Sequence, residues 1–331
     1  MQSQGYHPFR QSILSRDELR ELSTLRPVWA VVNTLVNWLA ILGAWTLVAL
    51  LPSWLTVVPA IFIVGTRYYA LAIIGHDGLH RRLFPDQWTN DLFNDLLIMG
   101  PIGAITRVNR LNHIEHHRVT ASTVDPDRHK YLHDGKEPTL PFLVFLTGLA
   151  NVWPTIRNIF LRTGREVAVV QQPVQESYQL RDIAILVAWQ ALLIISLSYA
   201  IGWWAYPTLW LTPVYLFAYR ADLVRVFCEH SMMQSDKTAD ESLRMVHYDS
   251  NWLELQFFAP NNMNCHVAHH LWPGIPYYNL PMAEEKVRSW DLKNGSHDQI
   301  VWRASYCVYL VNYFFWRLSL KSRVNADGVA C

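Results

Sequence analysis

Eight of the chain's fourteen histidines fall into three clusters whose spacing suits metal coordination. Side chains three or four positions apart lie on one face of a helix, so each cluster would present its imidazoles together. Neutral imidazole binds divalent first-row metals, and eight such groups exceed the needs of one ion. The pattern therefore predicts a site for two metal ions. The clusters are His76-x-x-x-His80, His113-x-x-His116-His117 and His266-x-x-His269-His270.

A ninth candidate ligand, His230, stands alone in the sequence. It follows a predicted membrane span, opposite His76 at the end of another span, so we include it despite its isolation. The remaining histidines outside the clusters are expected to be surface residues, although His247 is also a possible hydrogen-bond partner of a ligand. These unclustered residues are His129, His133, His247 and His297.

Carboxylates close to the clusters are expected to orient the imidazoles, because a metal-bound histidine usually donates its second ring N–H to such a group. Ordinary solvated charges are the alternative for each of them. The sequence lacks the His-Glu-x-x-His motif of zinc proteases and a glycine-rich phosphate loop, so it matches neither of those site types. The candidate carboxylates are Asp77, Glu115, Glu229 and Asp249.

Two long stretches, 27–66 and 183–219, contain no Asp, Glu, Lys, Arg or His. Each is about twice the roughly 20 residues that one helix needs to cross a bilayer. Each is also interrupted by a turn, near Pro52 in the first and between Gly202 and Pro207 in the second. We therefore predict two helical hairpins, with four transmembrane helices over about 28–50, 54–74, 183–201 and 207–226.

The distribution of basic residues predicts the orientation of these spans. Both hairpin tips lack Lys and Arg, whereas the segments before, between and after the hairpins contain them. The positive-inside rule places those three segments in the cytoplasm, and all three histidine clusters with them. The predicted fold class is an all-α, multi-pass integral membrane protein, with a cytoplasmic helical cap that holds the metal site.

The segments outside the spans are predicted to be helical and partly interfacial. Ser15 and Glu18 form a capping-box pattern within an amphipathic N-terminal segment. We expect a re-entrant or interfacial helix over 92–105, a surface-lying apolar segment over 141–160 and an interfacial helix over 301–318. The expected domains are an N-terminal segment 1–27, a membrane and catalytic domain 28–290, and a C-terminal helix and tail 291–331.

Arg67 lies inside the apolar run of the second span, where an ionisable residue is expensive and often functional. Asp222 on the fourth span is its expected partner in an ion pair. The alternative is that Arg67 extends its side chain to the lipid headgroups.

The composition excludes one class of function and disfavours two others. The balance of 28 basic and 27 acidic residues gives no overall field for nucleic acid. A metal transporter needs polar groups along its helices, and the first and third spans have almost none. A purely structural lipid-binding protein would leave the histidine clusters unexplained.

Taken together, these motifs resemble the membrane fatty acid desaturase superfamily. The resemblance runs from about residue 28 to 290 and includes the Asp-Pro-Asp after the second cluster and the Leu-Trp-Pro-Gly-Ile-Pro-Tyr-Tyr after the third. It implies a non-haem centre of two iron ions that uses O₂ and two external electrons to attack an unactivated C–H bond. It carries the ligand role onto the eight clustered histidines, and His230 resembles the extra histidine that the superfamily has after its fourth span.

The resemblance also implies the reaction and the partners. We expect desaturation or hydroxylation of a lipid-type substrate, with fatty acyl chains as the leading class, on the cytoplasmic face of the membrane. The alternatives within the superfamily are a carotenoid ketolase or hydroxylase and a hydroxylase of natural products. No electron-carrier segment is recognisable in the sequence, so we expect a separate donor of ferredoxin or cytochrome b5 type.

Overall fold

Helices make up most of the residues that the structure describes. It is a computed structural model, and it describes residues 10–120, 122, 124–131, 139–148, 177–233, 245–295 and 300–327. The helices and strands, in chain order, are α1 (Arg10–Ile13), α2 (Arg16–Leu22), α3 (Pro27–Leu50), α4 (Trp54–Leu79), α5 (Gln87–Asn94), α6 (Thr106–Val119), α7 (Thr139–Thr147), α8 (Leu180–Ala200), α9 (Arg220–His230), β1 (Met245–Tyr248), α10 (Trp252–Phe258), α11 (His266–Leu271), α12 (Leu280–Asn294), β2 (Ile300–Arg303) and α13 (Tyr306–Asp327).

Three helical stretches of the described chain are long and apolar enough to cross a membrane: Arg16–Leu50, Trp54–Leu79 and Leu180–Ala200. They confirm three of the predicted spans. They differ in coverage, because 56% of the apolar window of α4 is buried against only 11% of the window of α8. Helix α4 is therefore the central helix of the fold, and its far end carries the first histidine cluster.

Local sequence explains the first hairpin. Pro27 occupies the first turn of α3, where the missing N–H has no intrahelical partner to lose. Ser53 begins α4 with reciprocal hydrogen bonds to Thr56. The connection between α3 and α4 is too short to separate them, so the two helices pack side by side.

The fourth predicted span is an irregular helical run. After α8 ends at Ala200, the chain turns and then forms two π-helical segments, Pro207–Leu211 and Val214–Tyr219, that lead into α9. The run packs against α3 and α4: Trp45 donates its indole N–H to the carbonyl of Leu209 at 3.2 Å. The turn after α8 confirms the predicted interruption of the second apolar stretch.

Helix α5 packs against the end of α4 that carries the first histidine cluster. It continues into a π-helical turn, Asp95–Met99, and a 3₁₀ turn, Gly100–Ile102, so the predicted short helix over 92–105 is helical up to Ile102. The side-chain amide of Asn94 donates to the carbonyl of Gly75 at 3.0 Å, and that of Asn90 donates to the carbonyl of Gly78 at 2.9 Å. Both glycines lie in the last turns of α4, where the missing side chains allow α5 to approach.

Helix α4 ends in a left-handed residue. Arg81 has φ +59°, a conformation that glycine adopts more easily than arginine. The N–H of Arg82 then donates to the carbonyl of Asp77 at 2.9 Å, which is the hydrogen bond of a Schellman motif. The left-handed turn stops α4 directly after His80.

The prediction of an all-α fold is wrong in one detail. Strands β1 and β2 form a two-stranded parallel sheet, with Met245 opposite Ile300. The predicted helix over 301–318 therefore begins only at Tyr306, since the β-branched and aromatic residues before it favour the extended chain. The sheet attaches the C-terminal helix α13 to the segment between α9 and α11. Most of the predicted surface segment 141–160 lies outside the described residues.

Candidate metal centre

The ends of four helices meet at one site and bring all nine predicted ligands together. Helix α4 and the residue after it carry His76 and His80. The second cluster lies on α6, His230 is the last residue of α9, and the third cluster lies on α11. Because the four helices converge from separate parts of the chain, imidazoles far apart in sequence face one another.

Five of the nine imidazoles form one group, which we call the five-histidine group. Candidate ligand atoms of its members all lie within 4.8 Å of one another. The Nε2 atoms of His80 and His113 are 2.8 Å apart, and those of His117 and His269 are 3.0 Å apart. The members are His76, His80, His113, His117 and His269.

The other four imidazoles form the four-histidine group, beside the first. The Nε2 atoms of His230 and His266 are 3.0 Å apart. Glu229 offers a carboxylate oxygen next to these two rings. The two groups touch, since the rings of His117 and His270 lie 4.4 Å apart between centroids. The members of the four-histidine group fall into two sets that share His230: His116, His230 and His270 in one, and His230 and His266, with Glu229, in the other.

The donor set fits metal ions. Two nitrogens bound at right angles to one ion, each at about 2.1 Å, would be about 3 Å apart, which matches the separations within both groups. Ring nitrogens packed so closely need a shared proton or a cation between them. Buried ring nitrogens of five of the nine candidate ligands also have no hydrogen-bond partner among the described residues. These atoms are Nδ1 of His76, His117, His266 and His269, and Nε2 of His270.

Burial keeps the imidazoles outside the membrane-spanning segments neutral. It lowers the pKa of His80 and that of His230 to about 3. Burial, together with the neighbouring imidazoles, lowers the pKa of five more histidines well below the ordinary value: His113, His117, His266, His269 and His270. A neutral imidazole has a free lone pair, so these residues are in the form that binds a metal.

Oxygen atoms orient the four-histidine group. Nδ1 of His116 lies 2.9 Å from the carboxylate of Asp125, which also accepts the hydroxyl of Tyr131 at 2.6 Å. Burial alone would raise the pKa of Asp125, but these hydrogen bonds lower it, so the carboxylate stays ionised. Nδ1 of His270 lies 3.4 Å from the hydroxyl of Thr120. The sequence signal for Asp125 is the Asp-Pro-Asp after the second cluster, which belongs to the family resemblance but was not among the carboxylates expected to orient ligands.

Glu229 reaches the same group through a buried network. Its carboxylate lies 3.4 Å from Nδ1 of His266, and it accepts from Arg225 at 2.5 Å and from the hydroxyl of Tyr306 at 2.9 Å. Arg225 also donates to Asp222 at 2.8 Å. Of the four carboxylates expected to orient ligands, Glu229 is the one that contacts a predicted ligand among the described residues.

The other three carboxylates have different partners. Asp77 is buried and accepts the backbone N–H of Tyr277 at 2.7 Å, so it joins α4 to the segment after α11. Glu115 forms an exposed ion pair with Arg118 on its own helix. Asp249 contacts Arg288 and lies 3.1 Å from His247. Proximity in sequence was a poor guide here because each side chain points away from the imidazoles.

Two further expectations need correction. His247 is buried rather than a surface residue, and its Nδ1 lies 2.7 Å from the carboxylate of Glu284, which accepts the backbone N–H of Ala268 in α11. Arg67 hydrogen bonds with Gln256, whereas its expected partner Asp222 pairs with Arg225. His129 is exposed, as predicted, while His133 and His297 lie outside the described residues.

A cavity of about 220 Å³ lies against both histidine groups. Eight of the nine candidate ligands line it, all except His80. Its apolar wall consists of Leu79, Met99, Val226 and Met263, and the remainder of its lining is polar. A small molecule in this cavity would therefore be in contact with the candidate ligand imidazoles.

The apolar spans and the nine converging imidazoles define a class: a helical membrane protein with two adjoining histidine groups that could hold metal ions. The fatty acid desaturase family model matches residues 52–302, about three quarters of the chain. The chain belongs to the fatty acid desaturase family and is an oxidoreductase.

Named relatives share 24–27% identity with the chain. It is 24% identical over 242 residues to an sn-1 acyl-lipid omega-3 desaturase (ferredoxin) of Nostoc sp., covering 68% of this chain and 65% of that protein. It is 25% identical over 291 residues to an sn-1 oleoyl-lipid 12-desaturase of Picosynechococcus sp., with coverage of 81% and 79%. It is 27% identical over 306 residues to a dihydrorhizobitoxine desaturase of Bradyrhizobium elkanii, with coverage of 84% and 80%.

Proposed function

We propose that the protein is an O₂-dependent membrane oxidoreductase that uses two iron ions to oxidise an unactivated C–H position of a lipid-type substrate. A fatty acyl chain is the leading substrate class, because two of the relatives are named for acyl lipids. The observation that carries the proposal is the convergence of nine imidazoles from three sequence clusters and His230 into two adjoining groups.

The five-histidine group would hold one iron ion and the four-histidine group the other. When bound, the pair of ions would supply the oxidising power: O₂, two external electrons and two protons convert –CH₂–CH₂– to –CH=CH– with release of two water molecules. Neutral, largely buried imidazoles suit this role because they bind the ions without cancelling their charge.

The chain's own residues would set the geometry. Asp125 fixes the ring orientation and tautomer of His116 by accepting from Nδ1, which turns Nε2 toward the site. The carboxylate of Glu229 lies 3.4 Å from Nδ1 of His266 and would orient that ring electrostatically, and Arg225 and Tyr306 hold Glu229 in place. The apolar wall of the cavity would position the reacting carbons and exclude water from them.

Hydroxylation is the alternative outcome at the same site. It differs in that one oxygen atom enters the substrate and one water molecule is released. The superfamily alternatives of a carotenoid ketolase or hydroxylase and a natural-product hydroxylase belong to this outcome. The acyl-lipid names of the relatives favour desaturation over these alternatives.

The proposal includes the full topology and the electron donor. The helical run from Pro207 to Val226 would be the fourth span, since it continues the second apolar stretch and packs on α4. All three histidine clusters would then face the cytoplasm. A ferredoxin-type donor is favoured over cytochrome b5, because the Nostoc relative is named for ferredoxin.

Expression in a host that lacks desaturases tests the function. Lipid and metabolite extracts of cells with the wild-type chain should contain a product two mass units lighter than its precursor, or about sixteen units heavier for hydroxylation. Cells with His116→Ala or His269→Ala should lack that product. A product that persists in both variants would refute the proposal.

A further inference from the structure

Beyond the histidines, the lining of the cavity is mostly polar and charged. Six polar residues line it, against four apolar ones: Asn109, Asn112, Asp127, Lys130, Asp222 and Arg225. A saturated hydrocarbon chain offers nothing to such groups and removes them from water. A molecule that carries charges would satisfy them.

Two of these charges lie on the side of the site from which an acyl chain would come. Asp222 precedes His230 by eight positions on α9, so it lies about 12 Å along the helix axis toward the charge-free run. Arg225 lies between them and is buried. An acyl chain entering along α4 and α9 would therefore pass ionic groups before it reached the imidazoles.

The charged residues that line the cavity carry both signs, and two of them, Lys130 and Asp222, have room for a ligand. The amino group of Lys130 is 2.8 Å from Asp127 and is still partly exposed. Burial opposes its charge, but Asp127 and Asp222 raise its pKa, so it stays cationic. Asp222 uses only Oδ1 in its contacts with described residues, which leaves Oδ2 for another donor.

Asn112 adds a second, independent sign of a ligand. Its side-chain Oδ1 is buried and has no hydrogen-bond partner among the described residues, and Asn112 lines the same cavity. A buried acceptor without a partner is unfavourable unless a ligand or water supplies the donor. An ammonium group is a suitable donor, because it has three N–H bonds.

We infer that the substrate carries a zwitterionic group, with ammonium and an anion close together, next to the carbons that are oxidised. Lys130 would bind the anion, and Asp222 with Asn112 would bind the ammonium. The apolar wall would hold the short alkyl segment beside the imidazoles. The inference rests on the proposed function for the oxidation itself, and it replaces the fatty acyl chain with a zwitterionic molecule as the substrate class. The zwitterion belongs either to a free amino-acid-type molecule or to a lipid headgroup whose own methylene carbons are oxidised.

Binding to the purified iron-loaded enzyme tests the inference. Calorimetry with three eight-carbon probes should give a dissociation constant at least about tenfold lower for 2-aminooctanoate than for octanoate or octylamine, because only the first engages both signs of charge. Lys130→Met and Asp222→Asn should each weaken 2-aminooctanoate binding at least about tenfold, and Lys130→Arg should largely restore it.

Lys286→Met is the matched control. Lys286 is also paired with a carboxylate at 2.8 Å, that of Glu18, but it is exposed and does not line the cavity. Its loss should leave binding of all three probes unchanged. Equal affinity for the three probes, or equal effects of Lys130→Met and Lys286→Met, would overturn the inference.

A turnover experiment separates the two sources of the zwitterion. The enzyme receives a reduced ferredoxin and either 2-aminooctanoate, vesicles of dipalmitoyl phosphatidylethanolamine, or dipalmitoyl glycerol in detergent. Oxidation of either zwitterion that depends on Lys130 supports the inference and identifies the source. Oxidation of dipalmitoyl glycerol that is unaffected by Lys130→Met overturns it but leaves the proposed function standing. Failure to oxidise any of them counts against both.

Discussion

The two histidine groups lie side by side but are held in place differently. In the four-histidine group, oxygen atoms of Asp125, Glu229 and Thr120 lie within 3.4 Å of ligand Nδ1 atoms. In the five-histidine group, the Nδ1 atoms of His76, His117 and His269 have no hydrogen-bond partner among the described residues.

The difference indicates two ways to fix a ligand. The four-histidine group is oriented by side-chain chemistry, so single polar substitutions should disturb it. The five-histidine group depends on how closely helices pack, above all on α5 against the glycines at the end of α4. The two groups should therefore respond to different kinds of mutation.

Removal of a ligand imidazole should have the largest effect. The loss of turnover should be similar for the two histidine groups. His269→Ala and His116→Ala each remove one imidazole, and we expect turnover to fall at least about 100-fold in both, because both ions are needed. Bound iron, measured in the purified protein, should fall as well. His129→Ala is the control, since His129 is exposed and contacts only the backbone oxygen of Pro126 among described residues. Normal activity in either ligand variant would contradict the assignment.

Asp125→Asn tests whether the two histidine groups bind their ions independently. The amide keeps the size of the side chain but loses the charge that orients His116, so we expect iron affinity to fall about 10- to 100-fold. A chelator titration should then show one ion leaving before the other. Tyr131→Phe, which removes only the hydroxyl that supports Asp125, should have a smaller effect in the same direction. Loss of both ions in parallel would mean that the groups are not independent.

Gly78→Ala should act on the five-histidine group through packing. A Cβ at Gly78 would lie 2.3 Å from the side-chain nitrogen of Asn94, which is itself buried. We expect a loss of about 1–3 kcal/mol in stability and a displaced His76 and His80. Gly43→Ala in α3 is the matched control, because its Cβ would meet nothing within 4 Å. Thermal unfolding of the detergent-solubilised protein would measure the loss of stability. Its iron content would report the displacement of the two histidines. Equal behaviour of the two variants would remove the packing argument.

Arg81→Gly should have the smallest effect and the opposite sign. Glycine adopts the φ of +59° without the strain that a side chain imposes there, so we expect a gain of about 0.5–1 kcal/mol in unfolding free energy. Arg81→Ala keeps a Cβ and should give no such gain. A destabilised Arg81→Gly protein would show that the arginine side chain contributes more than the backbone strain costs.

The sequence predicted the spacing-dependent features well. The charge-free stretches located three spans within a few residues, and the histidine spacing identified the imidazoles that the fold brings together. It did not predict the partners of Asp77, Glu115 and Asp249, because those depend on side-chain direction across elements that are distant in sequence. The strand pair β1–β2 was missed because its strands are four residues each and are separated by three helices.

The ligands of both groups come from helices spread between α4 and α11, and this has a consequence for biosynthesis. A nascent chain that has emerged only as far as α6 carries five of the nine imidazoles but neither complete group. Neither group could therefore bind a metal ion with its full set of imidazoles until the ribosome has finished α11. The proposed iron ions would then be supplied to a polypeptide whose apolar helices have already been made.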